Sequence, residues 1–351
     1  MAKRKTLVQD FEELVEAGNE EEIKAVFTKC DINAYGGYNK GNALEFLLSA
    51  EMMKWLVEQG ADIEYMDSFG YTPLLYHAGH GFAEEQAINL IRLGADIHVQ
   101  HRMYKSTPLH QAVSAGSLEL VKCLLDAGAD ITVVDWNGDT PLECAFHKAQ
   151  NFDLIKLEPV AKYLFSQGAN ISEKLQGYLR ERAQDIEFRR KDINPDSIGQ
   201  LDAVLDSLYT LFHVEPVPKK VEFDGKSRII LQEKTWQKQH GELWKLLVPG
   251  SGHASTVQGE VIRITGRIGY EILDNGAMNW DKEYVKLSKA FLNYMNMGNE
   301  LTKEKSKELT KIVKSIKKAD EKEIDRMTEL AVEWVLLNLD PIPLENVAYK
   351  R

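Results

Sequence analysis

Thr107-Pro108-Leu109-His110, followed downstream by Gly128-Ala129-Asp130-Ile131, is the stretch that decides the fold. Thr107 carries the side-chain oxygen of an N-cap, and Pro108 suits the first helical position, where its missing N–H needs no partner. Leu109, Ala112 and Val113 fall at helical spacing, and Gly116 supplies a residue able to take positive φ where that short helix stops. Leu118, Val121, Leu124 and Leu125 give a second helix an apolar face that Gly128 closes. The segment therefore predicts two short antiparallel helices and an extended turn. One such pair cannot bury its apolar face alone and needs neighbours of the same kind.

The chain supplies them. Thr72-Pro73-Leu74, Thr107-Pro108-Leu109 and Thr140-Pro141-Leu142 recur at spacings of 35 and 33. Gly60-Ala61-Asp62-Ile63, Gly94-Ala95-Asp96-Ile97, Gly128-Ala129-Asp130-Ile131 and Gly168-Ala169-Asn170-Ile171 recur at 34, 34 and 40. Two independent phrases with nearly one period predict a stacked helical solenoid. The phrases resemble the ankyrin repeat family, over residues 5–172, with repeats beginning at Asp67, Arg102 and Asp135. Tyr38 to Met66 is a degenerate unit, with Asn42-Ala43-Leu44 in place of Thr-Pro-Leu. Residues 5–33, amphipathic through Leu7, Phe11, Leu14, Ile23 and Phe27, are expected to cap the array. Extra residues around Gln150 to Glu158 predict a projecting helix or loop, and Lys105 departs from the family pattern where a turn glycine belongs.

The resemblance implies binding of partner proteins through hairpin tips and the inner helices of a concave face. At the tips it points to Ser68, Phe69, Tyr71, Met103, Tyr104, Ser106, Trp136, Asn137 and Asp139, and on the inner helices to His80, Ser114, His147 and Lys148. Phe69, Tyr71, Tyr104 and Trp136 among polar groups have the composition of an interaction hot spot. His77, His80, His98 and His101 lack Cys or carboxylate partners at ligand spacing, so neither a metal site nor a cofactor is expected.

Composition narrows the function classes. With 44% hydrophobic and 28% charged residues over 351 positions, the chain has an ordinary globular balance rather than a disordered one. No apolar run approaches the ~18 residues of a membrane span. A polar segment, Gln9 to Glu22, stands where a signal peptide needs its apolar stretch. Cys30, Cys123 and Cys144 make no disulfide framework, and a cytoplasmic location is expected. The net charge of -11 lies wholly in residues 1–172, which hold 14 basic and 25 acidic side chains. Such a surface repels phosphates, which argues against nucleic acid in this half and fits a basic protein partner.

Beyond Ser172 the period is lost. Glu173 to Ile193 and Asp196 to Phe212 read as helices, Val221 to Leu231 as a small hairpin around Asp224-Gly225, and Thr235 to Asn338 as helical again. Leu247 to Trp280 resembles segments of uncharacterised bacterial proteins, with no activity attached. Within it a helix sets Glu260, Arg263, Arg267 and Glu271 on one face at steps of 3, 4 and 4, with Ile and Val on the others. Three roles fit that line: an internal ion-pair network, an anion site with Arg263 as clamp behind the Pro249–Thr256 loop, or catalysis by Glu260 beside Arg263, with His253 near. Gly259 and Gly266 inside the helix imply close approach of a neighbour. Lys303 to Lys318, basic with a stripe of Leu309, Ile312, Val313 and Ile316, reads as a solvated surface helix.

The expected class is all-α: an ankyrin solenoid over 1–172, then an α-helical domain over 173–351 with at most one small β-hairpin. The expected function is recognition of a protein by the array, in the form of an inhibitor or immunity-type protein covering a basic partner. The alternative is an enzyme or small-anion-binding protein whose site lies in the second domain, with the array as targeting module.

Overall fold

The computed structural model describes residues 2–219, 223–345 and 347–350. The recurring phrases become caps. Thr72 and Thr107 each accept a hydrogen bond from the third residue of their helices, α4 (Pro73–Ala78) and α6 (Pro108–Ala115), while Glu143 of α8 (Pro141–Lys148) accepts from the Thr140 N–H at 2.8 Å. The second helices α3 (Ala50–Glu58), α5 (Glu84–Arg92), α7 (Leu118–Asp126) and α9 (Asp153–Ser166) all run out at the glycine of the Gly-Ala phrase. Gly60, Gly94, Gly128 and Gly168 stand at φ 93, 94, 98 and 93, a left-handed turn that a Cβ would strain. The following alanine N–H then bonds back to the leucine carbonyl five residues earlier, as Ala129 does to Leu124 at 2.9 Å. Leu74, Leu109, Leu120, Val121, Leu124 and Leu142 are buried between neighbouring pairs.

Ahead of these lie α1 (Phe11–Ala17) and α2 (Glu20–Val26), closed by edge-to-face contacts of Phe11 with Phe27 and Phe46 at 6.1 and 5.0 Å. The expected cap is thus built from Phe11 and its neighbours. Its strands are new: β1 (Arg4–Thr6) pairs parallel with β2 (Cys30–Tyr35), the two-stranded sheet among the described residues. The hairpin expected at 221–231 lies partly outside the described residues, and Phe223 to Leu231 form no strand. The extra residues before Glu158 do not project as a separate element. They lengthen α9 to 14 residues against 9 in α7, with Pro159 inside the helix.

Two compact units emerge: Met1–Asp185 with Pro195–Val217, and Ile186–Asn194 with Pro218–Arg351. The expected division at 172/173 therefore falls inside the first unit. Most of α10 (Glu173–Arg189) and all of α11 (Pro195–Phe212) belong to that unit, where Phe212 packs on Phe146 and Phe165 at ring distances of 5.0 and 5.5 Å. They cover the apolar end of the solenoid, which a repeat array must shield from water.

The second unit is built on α13 (Val257–Gly269), buried from Val257 to Thr265 and packed by α12 (Trp236–Leu247), α14 (Lys282–Met295) and α16 (Glu321–Leu337). The two helical glycines do mark close approach. A Cβ on Gly259 would lie 2.9 Å from the Leu247 carbonyl oxygen, and one on Gly266 2.2 Å from the Trp244 ring. Between α14 and α16, α15 (Lys303–Ser315) buries Leu309, Ile312 and Val313 within this unit, so its apolar stripe faces protein. No helix among the described residues is long and apolar enough to cross a membrane.

Candidate protein-binding surface

Each hairpin tip is turned by one acceptor side chain. Asp67 Oδ1 accepts from the N–H groups of Phe69 and Tyr71 (2.9 and 2.8 Å), and Asp135 Oδ1 from those of Asn137 and Asp139 (2.8 and 3.1 Å). In the middle repeat His101 Nδ1 takes this part, accepting from Met103 and Tyr104 at 3.1 and 3.0 Å. That turn is one residue longer, and Lys105 holds φ 55 where its neighbours have Gly70 and Gly138. Lys105 thus preserves the hairpin despite departing from the repeat pattern. Backbone bonds tie tip to tip, from Ser68 N–H to Asn39 O at 2.9 Å and from Trp136 N–H to Tyr104 O at 3.0 Å.

This scaffold exposes Phe69 by 50%, Met103 by 70%, Tyr104 by 44% and Trp136 by 66%. Ser68, Asn137, His147 and Lys148 are also exposed, and Tyr71, His80 and Ser114 half-buried. Two sequence candidates are corrected. Ser106 is buried, its carbonyl accepting from His101 N–H and its hydroxyl from Gln111, and Asp139 is buried beneath α10. Asp139 receives Lys174 Nζ at 2.6 Å, Tyr178 Oη at 3.1 Å and Asn137 Nδ2 at 2.7 Å, with His147 Nδ1 at 3.0 Å. Burial pushes its carboxyl up, but these bonds outweigh burial and hold it below the usual carboxylate range.

Sequence reasoning missed the inner face of the degenerate unit. There Tyr38, Tyr76 and Phe82 surround two adjoining hollows of about 360 and 440 Å³, and Glu45 and Asp67 line them.

A model of the family described as ankyrin repeats matches residues 82–174 in three copies. Residues 82–174 are ankyrin repeats. Palmitoyltransferase ZDHHC13 of Homo sapiens is 29% identical over 114 residues, 32% of this chain and 18% of that protein. ARF GTPase-activating protein Git of Drosophila melanogaster is 32% identical over 115 residues, 33% of this chain and 15% of its own length. B-cell lymphoma 3 protein homolog of Mus musculus is 38% identical over 101 residues, 27% of this chain and 21% of that protein. The chain spans about a fifth or less of these relatives, all of them animal proteins. Ankyrin repeats support a protein-binding role for the array.

Beyond the ankyrin repeats, the Glu260 line of α13 divides. Glu260 is fully buried and accepts from Arg263 Nε (2.9 Å) and Nη2 (2.6 Å), from Ala254 N–H (3.0 Å) and from the Tyr349 hydroxyl. His253 Nδ1 stands 3.1 Å from Glu260 Oε1 and 3.0 Å from Arg263 Nη2. Burial raises the Glu260 carboxyl, but the Arg263 and Tyr349 hydrogen bonds prevail and keep it ionised. Arg267 is exposed and Glu271 binds a different loop, accepting from Asn279 N–H at 2.6 Å and Asn275 Nδ2 at 3.0 Å. The arrangement is that of an internal network, in which a buried charge is paired and its lone pairs are filled. His253 lines a hollow of about 570 Å³ with the Pro249–Ser251 loop.

Proposed function

We propose that this protein acts by binding a basic protein partner through the tips and inner helices of its ankyrin array, with no chemistry of its own, in the cytoplasm. The supporting observation is the row of exposed Phe69, Met103, Tyr104 and Trp136 on a backbone-tied scaffold. The aromatic rings among them offer large contact area at low entropic cost on burial at an interface. The acidic excess in residues 1–172 gives the partner its sign. An inhibitor that covers a basic protein, as an immunity protein does, is the form of this reading that uses both features. A catalytic role for Glu260, Arg263, Arg267 and Glu271 has less support, because Glu260 is sealed and fully hydrogen-bonded while Arg267 is exposed.

The test is affinity capture from the source cells with the whole chain and a Tyr104→Ala/Trp136→Ala variant. A protein held by the wild type, lost by the variant and released by raised salt supports the proposal. Capture of the same proteins by both, or a complex indifferent to salt, counts against it.

A further inference from the structure

The two hollows of the degenerate unit adjoin at Tyr38, Asn39 and Tyr76, and together make up the groove. Its walls are aromatic: Tyr38, 91% exposed, faces Phe69 at 5.6 Å between ring centroids, and Tyr76 lies 4.6 Å from His80. Its floor is acidic. Glu45 and Asp67 are only 6% and 7% exposed, and each is hydrogen-bonded through one oxygen alone. Glu45 Oε2 accepts from Asn39 Nδ2 at 2.5 Å and Asp67 Oδ1 from the tip N–H groups. Glu45 Oε1 and Asp67 Oδ2 are buried with no hydrogen-bond partner among the described residues. Glu12 and Glu16 add acid at the rim, and no Lys or Arg is among the residues lining either hollow.

Buried carboxyl oxygens without a partner cost free energy that the fold does not recover. A ligand that brings a donor to these carboxyls would relieve that cost. Among the described residues no cluster of three His, Cys, Asp or Glu could hold a metal ion. A cation that presents N–H groups and an aliphatic stem satisfies acids and rings together.

We propose that the groove takes a lysine or arginine side chain of the partner protein, its charged head drawn to the Glu45 and Asp67 carboxyls and its stem lying against Tyr38 and Tyr76. This rests on the protein-binding reading and names one contact within it. The geometry gives the array a defined pocket for a basic residue, next to the Phe69 tip rather than at Trp136. In its empty state the floor holds a proton instead: burial, and then the nearby Asp67 charge, push the Glu45 carboxyl up to about 8 despite the Asn39 bond.

The experiment uses the whole chain and a fluorescent hexalysine peptide at 150 mM salt, a condition chosen to screen loose attraction to the acidic surface. Comparison peptides are hexaarginine and hexalysine with every side chain acetylated. Glu119→Gln, on the outer helix α7, removes the same charge elsewhere. Expected results are tenfold or greater weakening by Glu45→Gln and by Tyr38→Ala, none by Glu119→Gln, and no binding of the acetylated peptide. Tyr38 is almost wholly exposed, so its loss leaves the fold intact and keeps the test sound even where Glu45→Gln perturbs it. Equal weakening by Glu119→Gln, unchanged affinity in both groove variants, or no binding of either basic peptide overturns the assignment. Partner capture lost with Tyr104→Ala/Trp136→Ala but kept with Glu45→Gln removes this pocket and leaves the binding function standing.

Discussion

Tyr178 of α10 stacks on His147 of α8, with ring centroids 4.7 Å apart and planes 7° from parallel. The same turn of α10 sends Lys174 to Asp139 and to the carbonyls of Asn137 and Gly138, so the third hairpin tip is held by the helix that follows the repeats. Lys174→Met removes the cation from a buried carboxylate that other groups still partly satisfy. The expected loss is about 1 to 2 kcal/mol, reduced from that of a sealed pair because Lys174 is 40% exposed. Tyr178→Ala should cost a similar amount, and the double variant less than the sum, since both act on Asp139. Urea unfolding of the four proteins checks this, and strict additivity would show that the contacts are independent.

Glu45 makes the first unit sensitive to alkali. Its carboxyl rises from 4.5 to about 8 on folding, through burial first and Asp67 second. A raised folded value means stability fully present below 4.5 and lost as pH climbs through 8. The facing titratable groups are Asp67, Tyr65, Glu12, Glu16 and Tyr76, of which none carries a positive charge to oppose the trend. Glu45→Gln should therefore be about as stable as wild type at pH 4 and more stable by about 2 to 5 kcal/mol at pH 8. Melting temperatures across that range decide it; a gap that does not widen with pH refutes it.

His77 acts in the opposite sense two elements away. Burial lowers it to about 4, against the partial help of its Nε2 bond to Leu44 O at 2.8 Å, with nearby His80 adding to the lowering. A depressed folded value gives stability that is present above 6.5 and lost as pH falls through 4, about 3 kcal/mol in all. Between pH 6.5 and 4.5 the losses at His77 and the gains at Glu45 offset each other, and the wild-type profile should be shallow. In Glu45→Gln the acid limb of His77 stands alone and stability should fall with acidification. In His77→Gln it should rise instead.

What the sequence could show follows from how local each signal is. Thr107, Pro108 and Gly128 act on their own helix ends, and their recurrence at one period announced the solenoid before any contact was known. β1 escaped notice because Arg4–Thr6 is three exposed residues with no alternation, paired to a strand more than twenty residues on. Asn137, Asp139 and His147 sit where the repeat pattern puts contact residues, but α10 uses them, and that depends on a helix beyond the last repeat. The groove at Glu45 was hidden because Ala43–Glu45, capped by Asn42, forms a single 3-10 turn where the other repeats begin a helix, so Glu45 had no expected place on an inner face. Tyr349 was invisible as a partner of Glu260, being 89 residues away in a tail without a periodic pattern.

That last pair gives a direct comparison of structure against chemistry in the second unit. Tyr349 donates to Glu260 from the C-terminal tail, while Val257 N–H and Ile342 O, 2.8 Å apart, hold the same tail over the start of α13. Tyr349→Phe keeps the ring and removes one donor from a carboxylate that retains Arg263 and Ala254. It should cost about 1 to 2 kcal/mol. Glu260→Gln leaves Arg263 buried without its counter-charge and should cost about 3 to 5 kcal/mol, several degrees of melting temperature. If the network serves the fold, Arg263→Met combined with Glu260→Gln should be no worse than Glu260→Gln alone, because no lone charge remains. A fully stable Glu260→Gln protein would instead overturn the structural reading, and the hollow beside His253 would then be the place to test for a ligand.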